Sequence, residues 1–527
     1  MTASEGGLAE LVRDHGRNRP DVVALVYGTE EITWRELDER SNLVSSALVA
    51  HGLEAGDRVA FLGKNAPEYF DVLFGAAKLG VVTVAVNWRL NPTEIAFIVN
   101  DAEAAIVFVG SEFSAVAAEL GGSLAAAKTV IVYGSPQSDG PTGGIDYEDW
   151  LDGHVARDPG HQPRPGEVAL QLYTSGTTGL PKGAMLTNAN MALLSDNAGT
   201  MFGLDEHSVN LVALPVFHIG GAGYALVGMA HGCQTVLMRD FDPEAVLEAV
   251  PGRHVTNAFL VPVMLAALAA VPGVGDGDYS SLRSIIYGAS PITEEALKLV
   301  MGTFGCAFVQ VYGMTETTGA ITKLDAENHD PDGPRSHLLR SAGRPFEWVE
   351  IRIVDPDTGD VRPVGVVGEL WTRSGQNMLG YWNNLDATSR TITADGWLRT
   401  GDAGYVDEEG YIFLTDRIKD MIVTGGENVY PIEVENVLAA HEAVADVAVI
   451  GVPDAKWGET VKAVVVLRKG AKPDPAAIIA FARERIAHFK CPSSVDFVEV
   501  LPRNPSGKIL KRELREPFWE GHERRIS

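Results

Sequence analysis

The chain of 527 residues is 46% hydrophobic and 21% charged, which supplies more than one buried core and excludes wholesale disorder. Lys plus Arg number 43 against 70 Asp plus Glu, and the resulting formal charge of −27 disfavours nucleic acid or anionic lipid as a bulk partner. A polyphosphate can still be held locally, by backbone amides, a few cations and a divalent metal.

The opening, MTASEGGLAELVRDHGRNRPDVVALV, lacks a basic region followed by an apolar core, so no signal peptide is expected and the chain reads as cytosolic. From about Asp57 to Val311, short apolar runs alternate with longer amphipathic stretches. RVAFLG, AIVFVG, TVIVYG, ALQLYT, NLVAL, QTVLM, SIIYG and FVQVYG read as strands, and APEYFDVLFGAAKLG and ITEEALKLVMGTF as helices. Such alternation predicts βαβ units in more than one mainly parallel sheet. The most apolar stretch, Ala258 to Gly275, is short for a membrane span and broken by Pro262 and Pro272, so a core helix is expected there.

Near Gly343 the pattern changes to period-two alternation around the turn DPDTGD, which predicts a small, mainly antiparallel barrel-like layer. Beyond it, DVAVIGVPD, VKAVVVLRKG and SSVDFVEVL read as strands and AAIIAFARERI as a helix, together the size of a small domain. Cys233, Cys306 and Cys491 are too few and too far apart for a disulfide framework or a metal cluster, and are expected to be inert thiols.

The most informative segment is YTSGTTGLPKG, Tyr173 to Gly183. A strand feeds a loop in which Gly176 and Gly179 let the backbone approach an anion, so that successive N–H groups form a concave site. Thr174, Ser175, Thr177 and Thr178 add hydroxyls and Lys182 adds a charge. The pattern differs from the phosphate loop of P-loop ATPases. It resembles the signature of the adenylate-forming superfamily, which includes acyl-CoA synthetases, 4-coumarate:CoA ligases, luciferases and the adenylation domains of peptide synthetases. Further motifs follow in the family's order over nearly the whole chain, with the greatest likeness to bacterial fatty-acyl-CoA synthetases.

The resemblance assigns roles to those motifs. In VYGMTET, Tyr312 is expected to stack on adenine, Thr315 to contact the α-phosphate and Glu316 to help hold Mg²⁺, a hard cation suited to carboxylate oxygen. The strand carrying Tyr312 is read as closing a βα unit, where α/β sheets place ligands. Gly288, Ala289 and Ser290 of GASPIT resemble the adenine-edge strand and loop. Asp402, after a glycine in TGD, should grip the ribose hydroxyls, and Arg417 of DRIKD should add a ribose or phosphate contact. Lys419 is the expected hinge, with Gly425 and Gly426 on a loop lining the pantetheine tunnel. Lys508, in NPSGKILK, is expected to bridge the attacking carboxylate and the α-phosphate, although Ser506 stands where the family usually has Thr.

The implied fold is therefore α/β. A large N-terminal domain, 1–418, is built of doubly wound βαβ subdomains plus the small β-barrel-like layer, and a small mobile α+β C-terminal domain, 419–527, carries Lys508. The implied substrates are ATP with Mg²⁺, a carboxylic acid and CoA, and the implied reaction forms acyl-CoA through an acyl-adenylate. A homodimer is common among relatives, but nothing in the sequence specifies one.

His218, in LPVFHIGGAG, is expected to border the acyl pocket and thiol path. FLVPVM, GASP and METTGA supply small or apolar walls, and no Arg can be placed among them for a dicarboxylate. This favours an uncharged tail: a medium- or long-chain fatty acid first, an aryl or aryl-propenoic acid second, with a sterol-derived acid also open. Rival readings are a ligase that loads a carrier protein and a silent acyl or nucleotide sensor. A peripheral membrane contact through Phe518 and Trp519 is a further rival, against which a packed tail is preferred.

Overall fold

Strand formation follows the apolar runs: all eight form strands, and all lie in one of two mainly parallel sheets. The computed structural model describes residues 7–120, 123–134, 144–174, 181–290, 292, 294–356, 358–417, 420–424, 427–454, 456–503 and 509–520. The first sheet runs Gly380–Tyr381, Lys182–Thr187, Val168–Thr174, Val82–Val86, Arg58–Leu62, Ile106–Gly110, Thr129–Tyr133 and Ile145–Asp146. Its last six strands are parallel and its first two antiparallel.

The second sheet runs Arg344–Pro345, Gly319–Leu324, Ala307–Met314, Ser284–Gly288, Asn257–Leu260, Val209–Val212, Gln234–Leu237, Val23–Tyr27 and Glu30–Thr33. Six parallel strands are bracketed there by antiparallel edges. Central strands such as Val82–Val86 are buried along their whole length, which is why they read as unbroken apolar runs.

Helices cover these sheets. Trp34–Ala50 is opened by a reciprocal cap between Thr33 and Glu36, and Pro67–Leu79 starts on proline. Together they bury Trp34, Phe70 and Phe74. Between them lies the fully buried Lys78, whose ammonium donates to Asp38 Oδ1 at 2.6 Å, Asn42 Oδ1 at 2.7 Å and Ser41 Oγ at 2.8 Å.

The expected antiparallel layer is a four-stranded sheet of Glu350–Val354, Gly368–Arg373, Leu398–Val406 and Ile412–Arg417. The smaller C-terminal domain is built on the hairpin Val444–Asp454 and Gly458–Leu467, with Ser494–Phe497 parallel to its second strand. It has its own core, which includes Ile422, Val434, Leu438, Val449, Val465 and Ile478.

Two expectations change. The stretch read as one core helix from Ala258 is a buried strand, Asn257–Leu260, followed by the helix Pro262–Ala269. Pro262 forces the change, because the residue before proline prefers extended backbone, and Val261 adopts φ −86° and ψ 155°. The strand ending at Met314 opens into a single 3-10 turn, Thr315–Thr317, and returns antiparallel as Gly319–Leu324, so no α-helix follows it.

The C-terminal helix Lys511–Trp519 packs on its own domain. Trp519 Nε1 donates to the Gly451 carbonyl at 3.0 Å, and Phe518 packs beside Ile450 and Val464. No helix among the described residues is long and apolar enough to cross a membrane. Among the described residues the three thiols are free, and burial pushes Cys233 up to about 12 and Cys306 up to about 11.

Candidate active site

The carboxyl ends of the parallel strands and one hairpin bring the expected residues together. Thr174 ends one strand of the first sheet and Lys182 begins its antiparallel neighbour, the two facing each other in register. The segment expected to hold phosphate links these two paired strands. Its Ser175, Gly176, Thr177 and Thr178 lie outside the described residues.

Glu316 is carried to this hairpin by the 3-10 turn and is buried at 6% exposure. Its Oε1 accepts from Thr174 Oγ1 at 3.2 Å and from Tyr381 OH at 2.8 Å. Lys182 Nζ lies 5.3 Å from the centre of the Tyr381 ring. The turn is locked from both sides. Gln376 Nε2 donates to the Thr317 and Ala320 carbonyls, each at 2.7 Å, and Met378 N–H donates to the Glu316 carbonyl at 2.8 Å. Thr315 sits half-buried at the start of the turn. No cluster of three or more His, Cys, Asp or Glu side chains with metal-binding geometry occurs among the described residues.

Asp402 arrives from the antiparallel layer. Tyr312 OH donates to its Oδ2 at 2.6 Å, a charge-assisted bond, and joins the expected adenine and ribose residues directly. Asp402 N–H donates to Thr400 Oγ1 at 3.1 Å, and the neighbouring Gly401 N–H donates to Glu369 Oε1 at 3.1 Å. Glu369 also takes the Trp371 indole N–H at 2.7 Å on its other oxygen, and burial pushes its carboxyl upward. The strand register sets Arg417 opposite Asp402, and the Arg417 side chain lies outside what is described.

Gly288 ends the strand beside the one bearing Tyr312, and a Cβ there would lie 2.2 Å from the Val311 carbonyl oxygen. Only glycine permits that approach. Ala289 follows at φ 68°, in the left-handed region that non-glycine residues rarely hold, and Ser290 is half-buried beside it.

His218 caps the helix Ile219–Ala230 with extended backbone. Its ring lies 4.5 Å from that of Phe217, and its Nε2 is sealed from solvent with no hydrogen-bond partner among the described residues. Burial, aided by the charge of Arg89, pushes the imidazole down to about 4. Arg89 is exposed, stacks 4.6 Å over Trp88 and lies 5.9 Å from the Phe217 ring. The helix that His218 caps adjoins the 3-10 turn, since a Cβ on Gly319 would lie 3.2 Å from Leu194 and 3.7 Å from Ile219.

The hinge Lys419, the tunnel glycines Gly425 and Gly426, and Lys508 all lie outside the described residues. The residues that sequence reading missed are Gln376, Tyr381, Glu369 and Thr400. Their only signal is a Gly-Tyr-Trp run after a polar turn and the period-two strands of the antiparallel layer.

Comparison with known proteins fits this arrangement. Residues 12–382 match the model of the AMP-binding enzyme family, and residues 433–508 match that of the AMP-binding enzyme C-terminal domain. The chain is 39% identical to the fatty acid–[acyl-carrier-protein] ligase ScoC of Streptomyces coeruleorubidus, over 99% of this chain and 98% of that one. It is 38% identical to a feruloyl-CoA synthase of an Amycolatopsis species, over 97% and 99% of the two chains. Its fold superposes on ATP-bound MatB from Rhodopseudomonas palustris with a TM-score of 0.89 and 30% identity, covering 99% and 100% of the two chains. The chain belongs to the AMP-binding enzyme family and is an acid–thiol ligase of the adenylate-forming superfamily.

Proposed function

We propose that the protein joins a carboxylic acid with a compact, uncharged tail to CoA, through an acyl-adenylate and with release of pyrophosphate and AMP. The observation that carries this reading is the convergence of Thr174, Lys182 and Glu316 at one hairpin, beside the Tyr312–Asp402 pair. Asp402 and Tyr312 hold ribose and adenine. The hairpin amides and Lys182 take the phosphates. The carboxylate of the acid attacks the α-phosphorus in line, and catalysis is positioning and charge stabilisation.

One buried carboxylate beside a phosphate cradle fits Mg²⁺ that arrives on ATP, because this ion is usually held by one or two carboxylates plus substrate phosphates. When bound, it would neutralise charge on the phosphates, with Glu316 as its protein ligand.

For the second half-reaction, domains 1–418 and 419–527 rotate about Lys419. Lys508 withdraws and the Gly425–Gly426 loop helps line the thiol path. The Lys508→Ala variant should then lose adenylate formation, by about 10²–10³-fold, yet keep thioester formation from supplied acyl-adenylate. Equal loss of both steps contradicts this division.

Packing around the acyl helix supports a compact tail. Two glycines of Ile219–Ala230 are closely packed: a Cβ on Gly221 would meet the Pro215 carbonyl oxygen at 2.2 Å, and one on Gly228 the Asn210 side chain at 2.4 Å. A Cβ on Gly220 would reach Phe259 at 3.2 Å, and Phe259 stands edge-on to Tyr224 at 5.6 Å. This close packing favours medium-chain and aryl-propenoic acids over long chains. A panel of hexanoate, octanoate, palmitate, cinnamate and ferulate, scored for CoA- and ATP-dependent AMP formation, tests it, and a preference for palmitate overturns it. The identity to ScoC favours a carrier protein as a second acceptor, so the panel is run with both thiols.

A further inference from the structure

We propose that Tyr381 is a positioning residue that keeps Glu316 and Lys182 apart and separately available, the carboxylate for the metal of magnesium–ATP and the ammonium for its phosphates. The proposal rests on the nucleotide site described above.

Tyr381 belongs to the two-residue strand Gly380–Tyr381, paired antiparallel with the strand that starts at Lys182. On either side of that strand, Leu379 N–H donates to the Met185 carbonyl at 3.0 Å and Trp382 N–H to the Gly183 carbonyl at 2.8 Å. Tyr381 N–H itself donates to Thr388 Oγ1 at 2.9 Å. The phenol therefore has a fixed position relative to the backbone of Lys182. The same segment grips Glu316 twice, through Met378 N–H on its carbonyl and Tyr381 OH on its carboxylate. At 7% exposure, Tyr381 is screened from water that could replace either contact.

The chemistry of the two contacts differs. A phenol O–H orients a carboxylate without pairing it with an opposite charge. Thr174 also donates to Oε1, and among the described residues none donates to Oε2. Lys182 lies against the ring of the same tyrosine at 5.3 Å, held by the attraction between a cation and an aromatic face. Among the described residues it forms no ion pair with Glu316, although both charges touch one side chain. An ion pair would engage each charge with the other, in a buried place where their attraction is strong. The aromatic ring prevents that, and the hydroxyl aims the carboxylate.

ATP binding, which needs no acid, is the measurement: isothermal titration with ATP in EDTA and in Mg²⁺. Tyr381→Phe keeps the ring and loses the hydroxyl. It should weaken binding about tenfold in Mg²⁺ while staying within about twofold of wild type in EDTA. Tyr381→Leu loses the ring as well, so Lys182 collapses onto Glu316 and metal-free binding falls about tenfold. Adding Glu316→Gln to Tyr381→Leu removes the competing carboxylate and should restore metal-free binding, a rescue that no general loosening of the fold produces.

Equal loss with and without Mg²⁺ in Tyr381→Phe overturns the proposal, as does a failure of rescue in the double variant. Should the leucine variant not fold, the ratio of the two affinities in Tyr381→Phe decides alone. A wild-type protein that binds ATP no better in Mg²⁺ than in EDTA also overturns it, and leaves the ligase reading to the acid panel. A wild type that binds magnesium–ATP yet activates no acid has the reverse meaning.

Discussion

Tyr312→Phe isolates the bond that ties Tyr312, the proposed adenine platform, to Asp402, the proposed ribose carboxylate. The substitution keeps the aromatic face and removes one O–H donor, 2.6 Å from Asp402 Oδ2. Asp402 is 9% exposed, so water has little room to replace the lost donor. A hydrogen bond to a charged group contributes about 1.5–3 kcal/mol, shared here between fold stability and the aim of the carboxylate. If about 1.4 kcal/mol of it appears in binding, the KM for ATP rises about tenfold. Turnover should be unchanged, because the ribose lies away from the reacting phosphorus and the lost contact is equal in ground and transition states. Pyrophosphate exchange at varied ATP reads both parameters. Asp402→Asn and the double variant complete the cycle, in which the pair should couple by about 1 kcal/mol or more. Additive effects of the two substitutions would refute the reasoning, and so would a fall in kcat with KM intact.

Three further outcomes follow from burial and packing. His218, pushed down to about 4 by burial and then by Arg89, stays neutral through the physiological range, so His218→Gln should leave the shape of the pH–rate profile between about pH 5.5 and pH 8 unchanged. Disappearance of an inflection near pH 6.5 in that variant would contradict it. In stability the sign is fixed: between about pH 6.5 and pH 4 only the unfolded chain protonates this histidine, so wild type should lose stability relative to the glutamine variant as pH falls. Glu68 is the opposite case, with burial the main cause of a rise to about 7. Its favourable contribution is present below the unfolded value near pH 4.5 and is lost as pH rises through 7, so Glu68→Gln should raise the thermal midpoint at about pH 8 and not at pH 4.5. Gly221→Ala places a methyl 2.2 Å from the Pro215 carbonyl oxygen, against backbone that cannot rotate away. It should cost about 1–3 kcal/mol and raise the KM for the acid more than that for ATP, since the helix displaced is the one that His218 caps.

Much of the architecture was legible because burial on both faces writes strands as unbroken apolar runs, and because proline and capping residues mark helix starts. The strand Asn257–Leu260 was not legible. Its four residues lead directly into another apolar stretch, and periodicity cannot separate a short buried strand from a buried helix. The antiparallel return after Thr317 was hidden for a similar reason, since GAITKL carries no feature that fixes its direction. Within the site, the residues proposed to touch ligand were named from their motifs. Those that hold them were not. Glu369 and Thr400 support Asp402 through strand register, and Gln376 pins the 3-10 turn through two carbonyls; a one-dimensional pattern reports neither relation.

The same distinction governs what a motif can say about charge. A sequence pattern suggests Lys182 and Glu316 as partners of one polyphosphate, and by itself it leaves open the outcome that two opposite charges would otherwise reach, which is to pair. In a protein with a formal charge of −27, a cation engaged by a neighbouring carboxylate is lost to an anionic substrate. On the proposal above, the fold answers with an uncharged residue, Tyr381, which is remote from Lys182 in the chain but stands on the strand paired with it. Main-chain bonds from Leu379 and Trp382 to the hairpin itself hold that strand in place, so the separation of the two charges is set by sheet register and not by any local pattern around either residue.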